Sequence, residues 1–218
     1  MLALYGHAFS SYTQKVLVAL HANATPFEFR AIGPETPENA AEWLRRWPLA
    51  KFPMLVDGER QIVEASVIIE YLGLAHPGPM ALLPVDPLAA LEVRFLDRFF
   101  DLYVMNVVQI AVDSKLGRLP MSAEDGLALA GARLETAYGW VDGVLRGRVW
   151  AAGEDFTLAD CAAAPALFYA DWVYPIGDAY PALRAYRARL LAHPSFARAV
   201  DEAREFRGLF PLGAPERD

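Results

Sequence analysis

Two short stretches of the chain put chemistry-bearing side chains where loops turn into helices. In Phe9-Ser10-Ser11-Tyr12-Thr13-Gln14-Lys15-Val16, Ser11 followed three residues later by Gln14 fits a capping box. That pattern assigns the cap to Ser11 and leaves the Ser10 hydroxyl unoccupied at the positive end of a helix dipole. Such a hydroxyl, beside loose backbone N–H groups, favours an anion such as a thiolate. On these grounds alone, capping accounts for both serines more simply than catalysis does.

The second stretch is Lys51-Phe52-Pro53-Met54-Leu55-Val56-Asp57-Gly58, followed by Gln61-Ile62-Val63-Glu64-Ala65-Ser66. Proline has no N–H to give a strand ladder, so Pro53 sits at a strand's first residue or on an edge. An X-Pro bond there is a candidate for the cis form, which would leave the N–H and C=O of Phe52 pointing outward to pair with an extended peptide. Glu64, Ala65 and Ser66 add a carboxylate, backbone N–H groups and a hydroxyl at a helix start. Together they describe a site for a small, charged, peptide-like ligand.

These residues need elements to hold them. Short strands at Leu2–Tyr5, Phe27–Arg30, Met54–Val56 and Gln61–Val63 alternate with helical spacing over Ser11–Asn23, Pro37–Trp47 and Ala65–Ala75. Asp57-Gly58 marks a tight hairpin turn between the last two strands. The order β-α-β-α-β-β-α predicts a compact mixed sheet over residues 1–76. Prolines 77, 79, 84 and 87 then mark a linker over 77–87. From 88 to 218 every periodic segment reads as helix: Leu88–Gly117, Ala123–Arg146, Leu158–Val173, Ala179–Leu191 and Pro194–Glu205. The first of these carries Leu91, Phe95, Phe99, Leu102, Val107 and Ile110 on a broad apolar face.

Composition bounds the function. The chain has 218 residues, 55% of them hydrophobic and 22% charged, enough for a substantial core in one or two domains. A net charge of −7 argues against nucleic acid as the main partner. No apolar run approaches the roughly 20 residues that span a bilayer, and no leader pattern opens the chain, which predicts a cytoplasmic protein. The single cysteine, Cys161, rules out internal disulfides and dithiol redox chemistry. His7, His21, His76 and His193 share no ligand spacing, so no metal is expected.

The order and spacing of several pieces resemble the cytosolic glutathione transferases. They are Leu4-Tyr5-Gly6 leading to Ser10–Val16, Lys51-Phe52-Pro53-Met54-Leu55, Glu64–Leu72 and Phe156-Thr157-Leu158-Ala159-Asp160. The resemblance implies an N-terminal thioredoxin-like domain followed by an all-helical domain, with glutathione as co-substrate. It also implies attack of the glutathione thiolate on a small hydrophobic electrophile, and a homodimer. Counting back six residues from Val16, as in serine-type members, makes Ser10 the donor to the sulfur, with Ser11 and Tyr5 as rivals; packing suffices to explain Tyr5. Carried over in the same way, Lys51 meets the glycine carboxylate, Phe52 and Pro53 the cysteinyl backbone, and Glu64 the γ-glutamyl ammonium. The family pattern has serine after that acid. Here Ala65 stands there and Ser66 follows, which weakens the expected hold on the tripeptide. Thr157 and Asp160 match a structural helix cap. Phe9, Phe99, Tyr103 and Trp172, with Tyr174, are candidates for an apolar second-substrate pocket, though ordinary core packing explains aromatic residues at helical spacing as well. A non-catalytic binding protein of the same fold is the alternative reading.

Overall fold

A computed structural model describes residues 1–218. Strands β1 (Leu2–Gly6), β2 (Phe27–Ala31), β3 (Met54–Asp57) and β4 (Arg60–Val63) form one sheet in the order β2-β1-β3-β4. β1 and β2 are parallel; β3 runs antiparallel to β1, with Tyr5 opposite Met54, and β4 antiparallel to β3. Helices α1 (Ser11–Ala22), α2 (Pro37–Arg46) and α3 (Ala65–Ala75) complete this part. The hairpin between β3 and β4 turns on Gly58, whose φ of 56° lies in the left-handed region that glycine tolerates without strain. Gly6 is needed for another reason: a Cβ there would sit 2.6 Å from the Thr13 hydroxyl, so β1 and α1 could not approach as they do.

The helical part comprises α4 (Pro87–Phe99), α5 (Asn106–Lys115), α6 (Ala123–Leu145), α7 (Leu158–Val173), α8 (Pro181–Ala192) and α9 (Pro194–Ala203). A 3-10 helix, Arg204–Leu209, follows. Where periodicity predicts one helix from Leu88, a π-helical segment, Phe100–Met105, separates α4 from α5. Its wider turn keeps Phe100 and Val104 in the core while Asp101, one turn beyond Asp97, reaches a buried lysine of α1. The expected apolar face also differs. Leu91, Phe95 and Leu102 are exposed, and the buried side of α4 is Ala90, Val93 and Leu96.

One continuous hydrophobic core joins the sheet to the helices, from Leu2 and Leu4 through Val16–Leu20 of α1 to almost every residue of α7. A smaller cluster of Tyr5, Trp43, Met54 and Val56 lies on the other face of the sheet, under α2. The start of α7 is fixed by Asp160, whose carboxylate accepts the N–H of Thr157 (2.8 Å), the N–H of Ala151 (2.8 Å) and the Tyr186 hydroxyl (2.6 Å). Burial raises the Asp160 pKa, and these donors oppose that shift. Cys161 beside it is fully enclosed, and its thiol is pushed well up, so it has no thiolate to offer. No helix is long and apolar enough to cross a membrane.

Candidate active site

Two adjoining cavities open where the sheet's loops face α4, the π-helical segment and α5. The first, about 320 Å³, is lined by Trp47, Lys51, Phe52, Pro53, Glu64, Ala65 and Ser66 from the sheet side, and by Arg98, Asp101 and Leu102 opposite. The second, about 570 Å³, gathers Phe9, Ser10 and Ser11 with Met105, Val108, Gln109, Val112, Tyr169 and Phe210. Tyr12, Lys51, Phe52 and Asn106 border both. The Tyr12 hydroxyl donates to Asn106 Oδ1 at 3.0 Å, tying α1 to α5 across the boundary.

In the smaller cavity the Phe52–Pro53 peptide is cis. Lys51 C=O accepts from the Trp43 indole at 3.1 Å, whereas the N–H and C=O of Phe52 have no hydrogen-bond partner within the chain. They form a free donor–acceptor pair on the cavity wall. Glu64 precedes α3 with φ 70° and ψ 117°, a conformation rare for a non-glycine residue, and its side chain makes no capping bond. Strain of this kind, of order 1–3 kcal/mol, is characteristic of ligand-clamping positions. The first intrahelical bond of α3 runs from Ile68 N to Glu64 O, so the N–H groups of Ala65, Ser66 and Val67 come before it and are open to an acceptor.

Ser66 is engaged differently from expectation. Its hydroxyl donates to Asp97 at 2.8 Å and accepts from the Lys15 ammonium at 2.9 Å. Lys15, 1% exposed, pairs with Asp97 at 2.5 Å and Asp101 at 2.8 Å, binding α1, α3 and α4 into one buried ion cluster. The Asp101 pKa is raised by burial and by Asp97, against the pull of Lys15. Sequence reasoning had no signal for this cluster beyond the unusual basic residue inside an apolar helix.

The cap of α1 also departs from the capping-box reading. Ser10, not Ser11, is the cap: its oxygen accepts the N–H of Thr13 at 3.3 Å, and Ser11 is the first helical residue, largely buried. Gln14 does not reach back to complete a box. Its amide donates to the Ala8 carbonyl at 3.1 Å and to the Tyr169 hydroxyl at 3.2 Å. The Ser10 oxygen therefore takes a bond from the helix end, its own O–H has no acceptor within the chain, and the residue lines the larger cavity. Tyr5 lies away from both cavities, on the α2 face, with its hydroxyl donated to Glu42 at 2.7 Å.

Of the four aromatic residues expected around a second substrate, only Phe9 lines the larger cavity. Trp172 stands behind it, bordering a small recess. Phe99 and Tyr103 belong instead to an aromatic group with Trp140, in which Phe99 is a buried core residue and Tyr103 is exposed, with ring centres 4.5 Å (Phe99–Trp140) and 5.7 Å (Phe99–Tyr103) apart. Helical spacing shows which residues share a face but not which neighbour that face meets. Tyr174 packs against Tyr138 and receives no cavity role. The walls that sequence reasoning missed come from α5, Arg118 and the segment Leu209–Pro211.

Comparison with known proteins agrees with this architecture. Residues 4–80 match the family model of the glutathione S-transferase N-terminal domain, and residues 127–194 that of the C-terminal domain. A glutathione S-transferase of Pseudomonas putida is 33% identical over 164 residues, covering 73% of this chain and 70% of its own. A probable maleylacetoacetate isomerase of Vibrio cholerae is 29% identical over 212 residues, covering 92% and 96%. Among solved structures, a glutathione S-transferase of Methylobacillus flagellatus with glutathione bound superposes with a TM-score of 0.78 at 26% identity, covering 91% of this chain and 98% of that one. With a thioredoxin-like sheet, an all-helical second part and both family models matched in order, this chain belongs to the glutathione S-transferase family.

Proposed function

We propose that the chain is a serine-type glutathione transferase, in which Ser10 donates a hydrogen bond to the glutathione thiolate for attack on a small apolar electrophile. The observation that carries this reading is the state of the Ser10 hydroxyl. Its oxygen accepts from Thr13 N–H, its O–H has no acceptor within the chain, and Ser10 lines a cavity at the N-terminus of α1. A free thiol titrates near 8.5, so lowering it by ~2 units takes about 3 kcal/mol of preference for the thiolate. One hydroxyl donor and a helix terminus are of the right size to supply it.

The tripeptide lies along the smaller cavity. The N–H and C=O of Phe52 pair with its cysteinyl backbone, Glu64 takes the γ-glutamyl ammonium, and the first-turn N–H groups of α3 take the adjacent carboxylate. Lys51, which has no acidic partner, meets the glycine carboxylate. Backbone N–H groups thus do the work for which the Ser66 hydroxyl is not free, and Ala65 costs the site little. The electrophile occupies the larger cavity, next to the sulfur, and the two reactants gain from proximity.

Titrating bound glutathione by thiolate absorbance tests this. The wild type should show a thiol pKa about 2 units below the free value, and Ser10→Ala should lose most of that shift and roughly 10²-fold in kcat while glutathione KM changes little. An unshifted thiol in the wild type would leave a non-catalytic glutathione-binding protein. We further propose a two-fold dimer. It is supported by the exposed apolar stripe of Leu88, Leu91, Phe95, Leu102 and Tyr103, next to Val67 and Trp140. Sedimentation should give twice the chain mass for the wild type and a monomer for the Leu91→Glu/Phe95→Glu variant; a monomeric wild type at micromolar concentration rejects the dimer.

A further inference from the structure

The loop that delivers Ser10 has no secondary structure of its own, yet each of its carbonyls is taken. His7 C=O accepts from Ser10 N at 2.9 Å, Ala8 C=O from the Gln14 amide at 3.1 Å, and Phe9 C=O from the Tyr169 hydroxyl at 2.7 Å. The third bond is the unusual one, because Tyr169 comes from α7, 160 residues along the chain and in the helical part. The same phenol oxygen accepts from Gln14 Nε2, so the path Gln14 to Tyr169 to Phe9 is continuous. The Tyr169 ring also packs edge-on against Phe9, with centres 5.4 Å apart. At 3% exposure the phenol is buried, which raises its pKa and keeps it a donor throughout the neutral range.

By contrast, the bond that would orient Ser10 from within α1 is long. Thr13 N to Ser10 Oγ is 3.3 Å, beyond the usual range for such a bond, so the cap interaction alone holds the side chain weakly. The position of the Ser10 Cα, and hence the aim of its O–H, depends on the loop carbonyls just before it. We propose that Tyr169 is a positioning residue for Ser10, its phenol tethering the Phe9 carbonyl so that the serine hydroxyl meets the thiolate. This rests on the reading of Ser10 as the thiolate's donor. Misplacement of a reacting group by about 1 Å costs up to 10²-fold, so the tether acts on rate without touching the peptide site.

The test is a cycle of Tyr169→Phe, Ser10→Ala and the double variant, each read by the pH titration of bound glutathione and by kcat and KM. Tyr169→Phe removes one oxygen and keeps the ring. Its bound thiol should titrate about 0.5–1 unit higher, with kcat at pH 6.5 about 3- to 10-fold lower, recovering at alkaline pH, and glutathione KM within about twofold. The double variant should match Ser10→Ala, because the tether acts only through the serine. Gln14→Met, which removes the side-chain hold on the Ala8 carbonyl, should shift the titration in the same direction and serves if Tyr169→Phe does not fold. A normal titration in Tyr169→Phe, or a double variant with additive losses, overturns the positioning role while leaving Ser10 intact. A normal titration in Ser10→Ala overturns both.

Discussion

The two cavities share four residues and a wall, yet they are assembled in opposite ways. On its sheet side, the smaller cavity is built mainly from two short runs of chain, residues 51–53 and 64–66, with Trp47, and much of what it offers is backbone: the free groups of Phe52 and the first turn of α3, beside the Lys51 and Glu64 side chains. The larger cavity draws side chains from the β1–α1 loop, α5, Arg118, α7 and the segment Leu209–Pro211. Under the proposed function, the tripeptide meets mainly main-chain groups that local sequence can place, and the electrophile meets side chains collected from distant segments. Beneath the first cavity lies a buried ion cluster; the second mixes apolar and aromatic walls with Gln109, Asp113 and Arg118.

The sharpest way to break that contrast is through Lys15. Its ammonium is the main compensation for Asp97 and Asp101, with Arg98 adding a longer contact to Asp101 at 3.4 Å. Lys15→Met would leave two carboxylates buried together and the Ser66 hydroxyl without its donor. Removing one partner of a buried pair costs about 3–5 kcal/mol, which for a chain of this size lowers Tm on the order of 10 °C. Differential scanning calorimetry should show that loss, and most of it should return in Lys15→Met/Asp97→Asn/Asp101→Asn, where no charge remains to be compensated. Because α3 is anchored by this cluster, the single variant should also raise glutathione KM more than the KM for the electrophile. A Tm within 3 °C of wild type would mean that water or rearrangement relieves the carboxylates, and the cluster would not be what supports the peptide side.

The same contrast explains which parts of the molecule the sequence made legible. The element order was readable, apart from the break of the helix expected from Leu88 into α4, the π-helical segment and α5, because strand and helix periods and the Pro and Gly punctuation are local properties; α3 and α7 end where the pattern ends. That Phe52-Pro53 and Glu64-Ala65-Ser66 line one cavity was readable for the same reason, since each run is contiguous. What failed depended on partners far along the chain. The Ser11–Gln14 spacing fits a capping box, but Gln14 is recruited by Ala8 and Tyr169, so the cap falls to Ser10. Ser66 offered a hydroxyl to a ligand, and Lys15 and Asp97 take it. Phe99 and Tyr103 lie close in sequence to cavity residues, yet Phe99 is buried in the core against Trp140 and Tyr103 stacks on Phe99. No local pattern marks Leu209–Pro211 as a cavity wall.

That last wall gives the finer test of the contrast. Leu209, Phe210 and Pro211 are held against the cavity by a strap of ion pairs: Arg207 to Asp218 at 2.6 Å, Arg204 to the same carboxylate at 3.0 Å, and Arg217 to Asp171 at 2.5 Å. Arg207 also lies over the Trp172 ring, 4.9 Å from its centre. Phe210 stacks on Tyr169 at 6.0 Å and edge-on to Trp172 at 5.2 Å, so truncating it enlarges the electrophile cavity while the strap remains. Phe210→Ala should lower kcat/KM for a small aromatic electrophile about tenfold, or about 1.4 kcal/mol, and favour bulkier ones. Glutathione KM, measured at saturating electrophile, should stay within about twofold, because Phe210 lines the larger cavity and not the smaller one. If glutathione KM moved as far as the electrophile term, the two cavities would be one mechanical unit. The separation between a backbone-read ligand and a side-chain-read one would then fail where it is most exposed, at a residue more than a hundred positions from any that would touch the tripeptide.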